Sequence, residues 1–285
     1  MGGVEAPVLT RLVGAFSELP QVEAVALGGS RTSSVADAAS DFDVYVVTTA
    51  DVSLETRRGL VRQLGGASVD NVGHDYFGGG DEWLDAGTGA HFDVMYFGLE
   101  WLREQVESPL IHHQPSLGYS TAFAYTVSRS RILYDAGGRF AALQAESLEP
   151  YPDALRQAVV RYNHPMLRGV LSSYTAQITK AASRHDLVSL NHRLAALLAS
   201  YFDILFAVNR ALHPGEKQLL RLAGELPSLP ETFERDVTET LAAAGDGVRL
   251  LPNLTRLLDA LDVWLTREGF AELASRPARI PGDAG

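Results

Sequence analysis

Val25-Ala26-Leu27-Gly28-Gly29-Ser30-Arg31, followed by Ser40-Asp41-Phe42-Asp43-Val44-Tyr45-Val46-Val47, is the stretch on which the reading of the fold turns. An apolar run feeds a glycine turn, a polar connection follows, and a second apolar run opens with two alternate carboxylates. Side chains alternate across a strand, so Asp41 and Asp43 share one face while Phe42 and Val44 point into a core on the other. Two carboxylates held that close repel, and the repulsion raises the pKa of one unless a cation or hydrogen bonds offset it. A divalent metal is the simplest compensation. Hard oxygen ligands that leave room for waters and phosphates suit Mg²⁺. Gly28 and Gly29 let phosphate approach the backbone closely, with its N–H groups exposed. Ser30 adds a hydroxyl and a helix cap, and Arg31 a cation for a phosphate or an acidic neighbour. A lone Gly-Gly-Ser is usually a turn and a lone Asp-x-Asp usually a solvated strand end; it is the combination that carries information.

A third acid strengthens it. Ala90-His91-Phe92-Asp93-Val94-Met95-Tyr96-Phe97 alternates like a strand, with His91, Asp93 and Met95 on one face and Phe92, Val94 and Tyr96 on the other. Asp93 stands among apolar residues, where an unpaired charge is costly, and a metal site with Asp41 and Asp43 supplies a partner.

On Gly29-Ser30, Ser40-Asp41-x-Asp43 and Asp93, the chain resembles the nucleotidyltransferase superfamily of DNA polymerase beta type, in particular its small-molecule branch of aminoglycoside and lincosamide adenylyltransferases. The resemblance covers about the first 100 residues, with the helical remainder similar in general layout. It implies that Asp41 and Asp43 bind two Mg²⁺ ions, that Asp93 completes the metal triad, and that Gly28, Gly29, Ser30 and Arg31 hold the nucleotide. It implies transfer of a nucleoside monophosphate, AMP from ATP, to a hydroxyl of a small molecule, with pyrophosphate leaving. The third acid or one near it then deprotonates the acceptor, and Asp93 is the natural base. Relatives also build the site at a dimer interface, so a homodimer is admitted. The chain departs from many relatives at Thr32-Ser33-Ser34, where they place Arg-Gly, which bears on the nucleotide contacts and not on the metal site.

Charge bounds the acceptor. Lys+Arg number 24 against 35 Asp+Glu, a net charge of -11, so a broad surface that tracks nucleic-acid phosphates is not expected. A cationic acceptor would be attracted, although a negative balance also serves plain solubility. Cysteine is absent, which removes disulfides and zinc thiolates and gives no sign of an oxidising compartment. The histidines show no zinc-ligand spacing. The first residues lack the blocks of a signal peptide, and no apolar run reaches the roughly 18 residues of a membrane span. The expectation is a cytoplasmic protein with no membrane partner.

The pattern along the chain predicts an α+β protein, a small mixed-sheet domain over 1–149 and an all-α bundle over 150–285 that closes over the nucleotide. A helix is expected near 7–19, strands at about 22–28, 42–48, 91–97 and 131–135, and a helix at 54–64. Glycines at 65, 66, 73 and 78–80 predict a loop-rich stretch over 65–90 with short strands and a mobile flap. Within it Asp81, Glu82 and Trp83 are candidates for holding the acceptor, against the plainer reading of a solvated loop with Trp83 anchored in the core. Glu149-Pro150-Tyr151-Pro152 reads as a linker. Leucines at three- and four-residue steps over 187–208 and 250–265 read as bundle helices, with their aromatics in the core.

Two polar clusters interrupt the bundle. Arg210, His213, Glu216 and Lys217 gather around Pro214-Gly215, where Lys217 or Arg210 could meet the triphosphate, or where Arg210 and His213 complement a helix C-terminus. Asp186 is expected to cap the long helix and His192 to sit on its inner edge. Two other functions remain open on the sequence: a protein-modifying adenylyltransferase of antitoxin type, and a non-catalytic nucleotide-binding domain.

Overall fold

The computed structural model describes residues 5–29, 41–76 and 78–274. It divides into two compact units, one formed by Met1–Glu107 with Phe123–Glu149, the other by Ser108–Ala122 with Pro150–Gly285. Residues 108–122 thus group with the helical unit although they lie within the first half of the sequence.

The first unit opens with α1 (Glu5–Ser17), then β1 (Val22–Leu27), β2 (Phe42–Thr48), α2 (Leu54–Gln63), β3 (Ala67–His74), β4 (Gly80–Asp85) and β5 (His91–Gly98). After α3 (Leu99–Leu110) and α4 (Ala122–Arg129) come β6 (Arg131–Asp135) and α5 (Arg139–Ser147). The six strands form one mixed sheet in the order β3-β4-β5-β2-β1-β6. Its centre is the parallel pair β2 and β5, and all other pairings are antiparallel. A parallel pair needs a crossover, here α2 with the β3–β4 hairpin. One face packs Val25, Leu27, Phe42, Val44, Val46, Trp83, Phe92 and Val94 against Leu12 and Phe16 of α1 and Leu60 and Val61 of α2. The alternation of β2 and β5 decides this: every second residue is apolar and buried, and its neighbours go to the other face.

The stretch over 65–90 carries the expected short strands, β3 and β4, paired as a hairpin whose register shifts between Ala67 and Val69 and between Val72 and His74. Its glycines mark the turns: Gly65 and Gly66, both at positive φ, end α2, and Gly78 at φ 105° turns β3 into β4. β3 is hard to recognise because it is an edge strand whose residues 68–71 are exposed and mostly polar, as an edge that resists further pairing should be.

The second unit carries α6 (Asp153–His164), a π-helical turn (Pro165–Gly169), α7 (Tyr174–Ser183), α8 (Leu187–Val208), α9 (Leu219–Gly224), α10 (Phe233–Ala242), α11 (Gly247–Arg267) and α12 (Ala271–Ala274). α8 is the central helix, buried over nearly every position from Ala199 to Val208. Around it Leu250, Leu254, Leu257, Leu261 and Trp264 of α11 complete the core. Asp186 caps α8 by accepting from Ser189 N, and Asp246 caps α11. His192 is exposed, contrary to the expected inner edge. The helical period carries Leu190, Leu194 and Leu197 inward, and the two positions after Leu190 fall on the solvent side.

Among the described residues no helix is long and apolar enough to cross a membrane.

Candidate active site

The site is built across three neighbouring strands of the first unit. Asp43 of β2 is in register with Asp93 of β5, and Asp93 with Glu82 of β4. Gly28, just past β1, joins the row by donating its N–H to the Asp43 carbonyl at 2.8 Å. Glycine, aspartate, aspartate and glutamate therefore cross the sheet in one line, on the face opposite the α1 and α2 core. The glycines are needed there. A Cβ on Gly29 would lie 1.7 Å from Asp43 Oδ2, and one on Gly28 would lie 2.2 Å from the Tyr45 ring. Gly29 also holds φ 65°, a conformation that favours glycine.

Two residues along β5, on the same face, lies a second contact. His91 Nδ1 is 2.8 Å from Asp41 Oδ1 and His91 Nε2 is 2.9 Å from Glu82 Oε1. The ring joins Asp41, just before β2, to Glu82 of β4. Burial pulls the His91 pKa down, but bonds to Asp41 and Glu82 outweigh it and leave it raised. Burial, then the neighbouring Glu82 and Asp41 charges, push the Asp93 carboxyl up, against the opposing pull of His74 and His91. Tyr45, beneath Gly28, is pushed up to about 12 by burial and by Asp43 and Asp93. At the β3 end the His74 ring lies over Gly80, where a Cβ would come within 2.3 Å of it, and stacks on Tyr76 at 5.6 Å.

Asp81, Glu82 and Trp83 are split by the alternation of β4. Only Glu82 faces the acids. Asp81, 1% exposed, turns to the other face, where Arg57, Tyr96 Oη and Gly73 N all donate to it. Trp83 stacks on Phe92 in the core at 4.9 Å. An acceptor role for Asp81 and Trp83 is therefore corrected: both sit behind the sheet, because residues next to one another on a strand cannot share a face.

Ser30 and Arg31 lie outside the described residues, as do Thr32, Ser33 and Ser34. Lys217 is exposed in the turn before α9 of the helical unit. Its neighbours there have structural partners. Arg210, at φ 53°, pairs with Asp153 at 2.7 Å, and buried His213 accepts from Gly215 N at its Nδ1. His91, which alternation set on the Asp93 face, and Glu82, one of the three β4 candidates, are the residues the structure brings to the acids.

The donors suit Mg²⁺ in kind. All are carboxylates on one face, beside a glycine cradle that a Cβ would fill. Among the described residues, no three of the Asp, Glu and His side chains converge on one point; Asp41 is turned to His91. Asp43 and Asp93, with Asp41, are the residues that would hold a cation.

A family described as a domain of unknown function (DUF4037) matches residues 120–219. No curated protein matches. Among solved structures, the chain is similar to the crystal structure of a nucleotidyltransferase-like protein from Exiguobacterium sibiricum 255-15, at 12% identity over 95% of this chain and 79% of that one, with a TM-score of 0.42. The family match over 120–219 leaves out Gly28, Gly29, Asp41, Asp43, Glu82 and Asp93, so the chemistry of this face rests on its own geometry.

Proposed function

We propose that the chain is a Mg²⁺-dependent nucleotidyltransferase that moves a nucleoside monophosphate, AMP from ATP, onto a hydroxyl of a small molecule and releases pyrophosphate. The observation that carries this reading is the row Gly28, Asp43, Asp93, Glu82, which sets a phosphate cradle at one end of a line of acids. Gly28 and Gly29 let the phosphates lie against the backbone, a place from which any side chain is excluded. Bound Mg²⁺ supplies charge neutralisation at the phosphates and the leaving pyrophosphate. Asp93, its carboxyl raised by burial and by Glu82, takes the proton of the acceptor hydroxyl. The hydroxyl oxygen bonds to the α-phosphorus as the bond to pyrophosphate breaks. In this reading the nucleotide lies towards β1 and the acceptor towards β4, a reading supported by the strand order and by Glu82, His74 and Tyr76 at that end. Acids at that end favour an acceptor bearing positive charge, and the net charge of -11 works in the same direction.

The test is incubation with each NTP, Mg²⁺ and a panel of aminoglycosides, lincosamides and cell extract, read by the acceptor's mass. Added mass of one nucleoside monophosphate, lost in Asp41→Asn and Asp43→Asn, is the expected result. Undiminished transfer by either variant would overturn the reading.

A further inference from the structure

Beside the row of acids runs a second row, of uncharged residues. Tyr45 of β2, Met95 of β5 and Gly80 of β4 are in register, each two residues along its strand from Asp43, Asp93 and Glu82 and on the same face, about 7 Å away. Gly80 leaves a gap there, and the ring of His74, its partner on β3, fills it: a Cβ on Gly80 would lie 2.3 Å from that ring. Such a Cβ points to the Glu82 side of the sheet, so the His74 ring stands on the acid face. Tyr76 stacks on it, the two rings 7° from parallel with centroids 5.6 Å apart, and is itself 73% exposed. The turn that follows is glycine at 78, 79 and 80 and sends no side chain over the pair.

A tyrosine held this far into water against a parallel ring offers a flat apolar surface that a third ring extends. Carboxylates one row away favour a positive charge on the occupant, and both features lie within the span of one small molecule. We propose that His74 and Tyr76 set the specificity for the acceptor: they hold a planar ring by stacking, Glu82 receives a protonated amine on the side chain of that ring, and a hydroxyl on the same side chain is left to Asp93. The acceptor class is thus an aryl amino alcohol. The inference rests on the reading of this face as a nucleotidyltransferase site with its acceptor towards β4.

Phenylethanolamine is the probe, set against styrene glycol, which lacks the charge, and the cyclohexyl analogue of the probe, which lacks the flat ring. Binding to the full-length chain is followed by NMR of the Tyr76 and His74 ring signals, with Mg·ATP affinity measured beside it by calorimetry. Phenylethanolamine should shift both ring signals and bind several-fold more tightly than either analogue. Tyr76→Ala, a change at an exposed position, should lose several-fold in affinity for the probe and keep its affinity for Mg·ATP, and Tyr76→Phe should keep both. Ring signals that do not move, or equal affinity for the three compounds, overturn the inference, and Mg·ATP binding then leaves the transferase reading standing. Tyr76→Ala that weakens Mg·ATP and not the probe gives the shelf to the nucleobase and overturns the inference as well. A wild type that binds the probe at these rings but no Mg·ATP upholds the shelf and overturns the transferase reading; one that binds neither overturns both.

Discussion

Glu82 on β4 and Asp93 on β5 stand directly opposite each other, two carboxylates at one register position of adjoining antiparallel strands. Like charges so placed destabilise a sheet, and here Glu82 is the largest charge effect on Asp93 after burial itself. Replacing Glu82 by Gln removes that charge, so Asp93 titrates at lower pH. Carboxyl ¹³C NMR of the variant should show the Asp93 midpoint moved down, and the acid limb of the pH–rate profile should move with it. A midpoint that stays in place would mean that burial alone sets it.

Gly29 packs against Asp43 with no space for a methyl group. Gly29→Ala meets both a clash and an unfavourable φ, the second alone worth roughly 1 kcal/mol. Because the atom it meets is Asp43 Oδ2, the substitution should also move a carboxylate proposed to hold the metal. A modest fall in melting temperature with loss of most Mn²⁺ affinity is the expected pair of results, and wild-type affinity would contradict the close approach.

Arg57 of α2 and Asp81 of β4 form a buried ion pair, side chains 13% and 2% exposed, which also receives the Tyr96 hydroxyl at 2.7 Å. Removing one member strands the other, at a cost of about 3–5 kcal/mol. Arg57→Ala and Asp81→Ala should each lower the melting temperature by around 10 °C. The double variant Arg57→Leu/Asp81→Leu should lose less than the two single variants combined. Chemical denaturation of the three variants measures this coupling.

Two buried groups of the helical unit titrate with opposite sign. Burial pushes the Asp203 carboxyl up to about 7, although Ser120 and Asn163 donate to it and pull the other way. Its raised value means that its contribution to stability is whole below about pH 4 and is lost as pH rises through about 7. Burial pulls His213 down to about 4, so its contribution is present above about pH 6.5 and lost as pH falls through about 4. Between those limits the slopes oppose. Urea unfolding across pH 4–8 should show Asp203→Asn gaining stability relative to wild type as pH rises, and His213→Gln losing stability relative to wild type.

The parts of the fold legible in the sequence are those where one periodicity acts alone. β2 and β5 alternate cleanly because one face is core and the other carries Asp41, Asp43, His91 and Asp93. α8 and α11 repeat leucine at helical steps because each buries one stripe. β3 was hidden because an edge strand keeps polar residues at consecutive positions, and glycine, read as loop, was only the punctuation of a hairpin. Of the candidate residues, the register sets Asp43 and Asp93 side by side, and alternation withdraws Asp81 and Trp83. Asp203 gave no signal at all. It is a single acid in an apolar helix, and only Ser120 and Asn163, far away in sequence, explain how it is accommodated.

The parallel pairing of β2 with β5 also has a bearing on time. Asp43 and Asp93 are separated in sequence by α2 and the whole β3–β4 hairpin, so their pairing is a non-local contact of the first unit. Such contacts close slowly, since the intervening chain must be ordered before they are rewarded. A ribosome that has released Asp41 and Asp43 has made two carboxylates whose strand partner, with Asp93, is still about fifty residues from being synthesised.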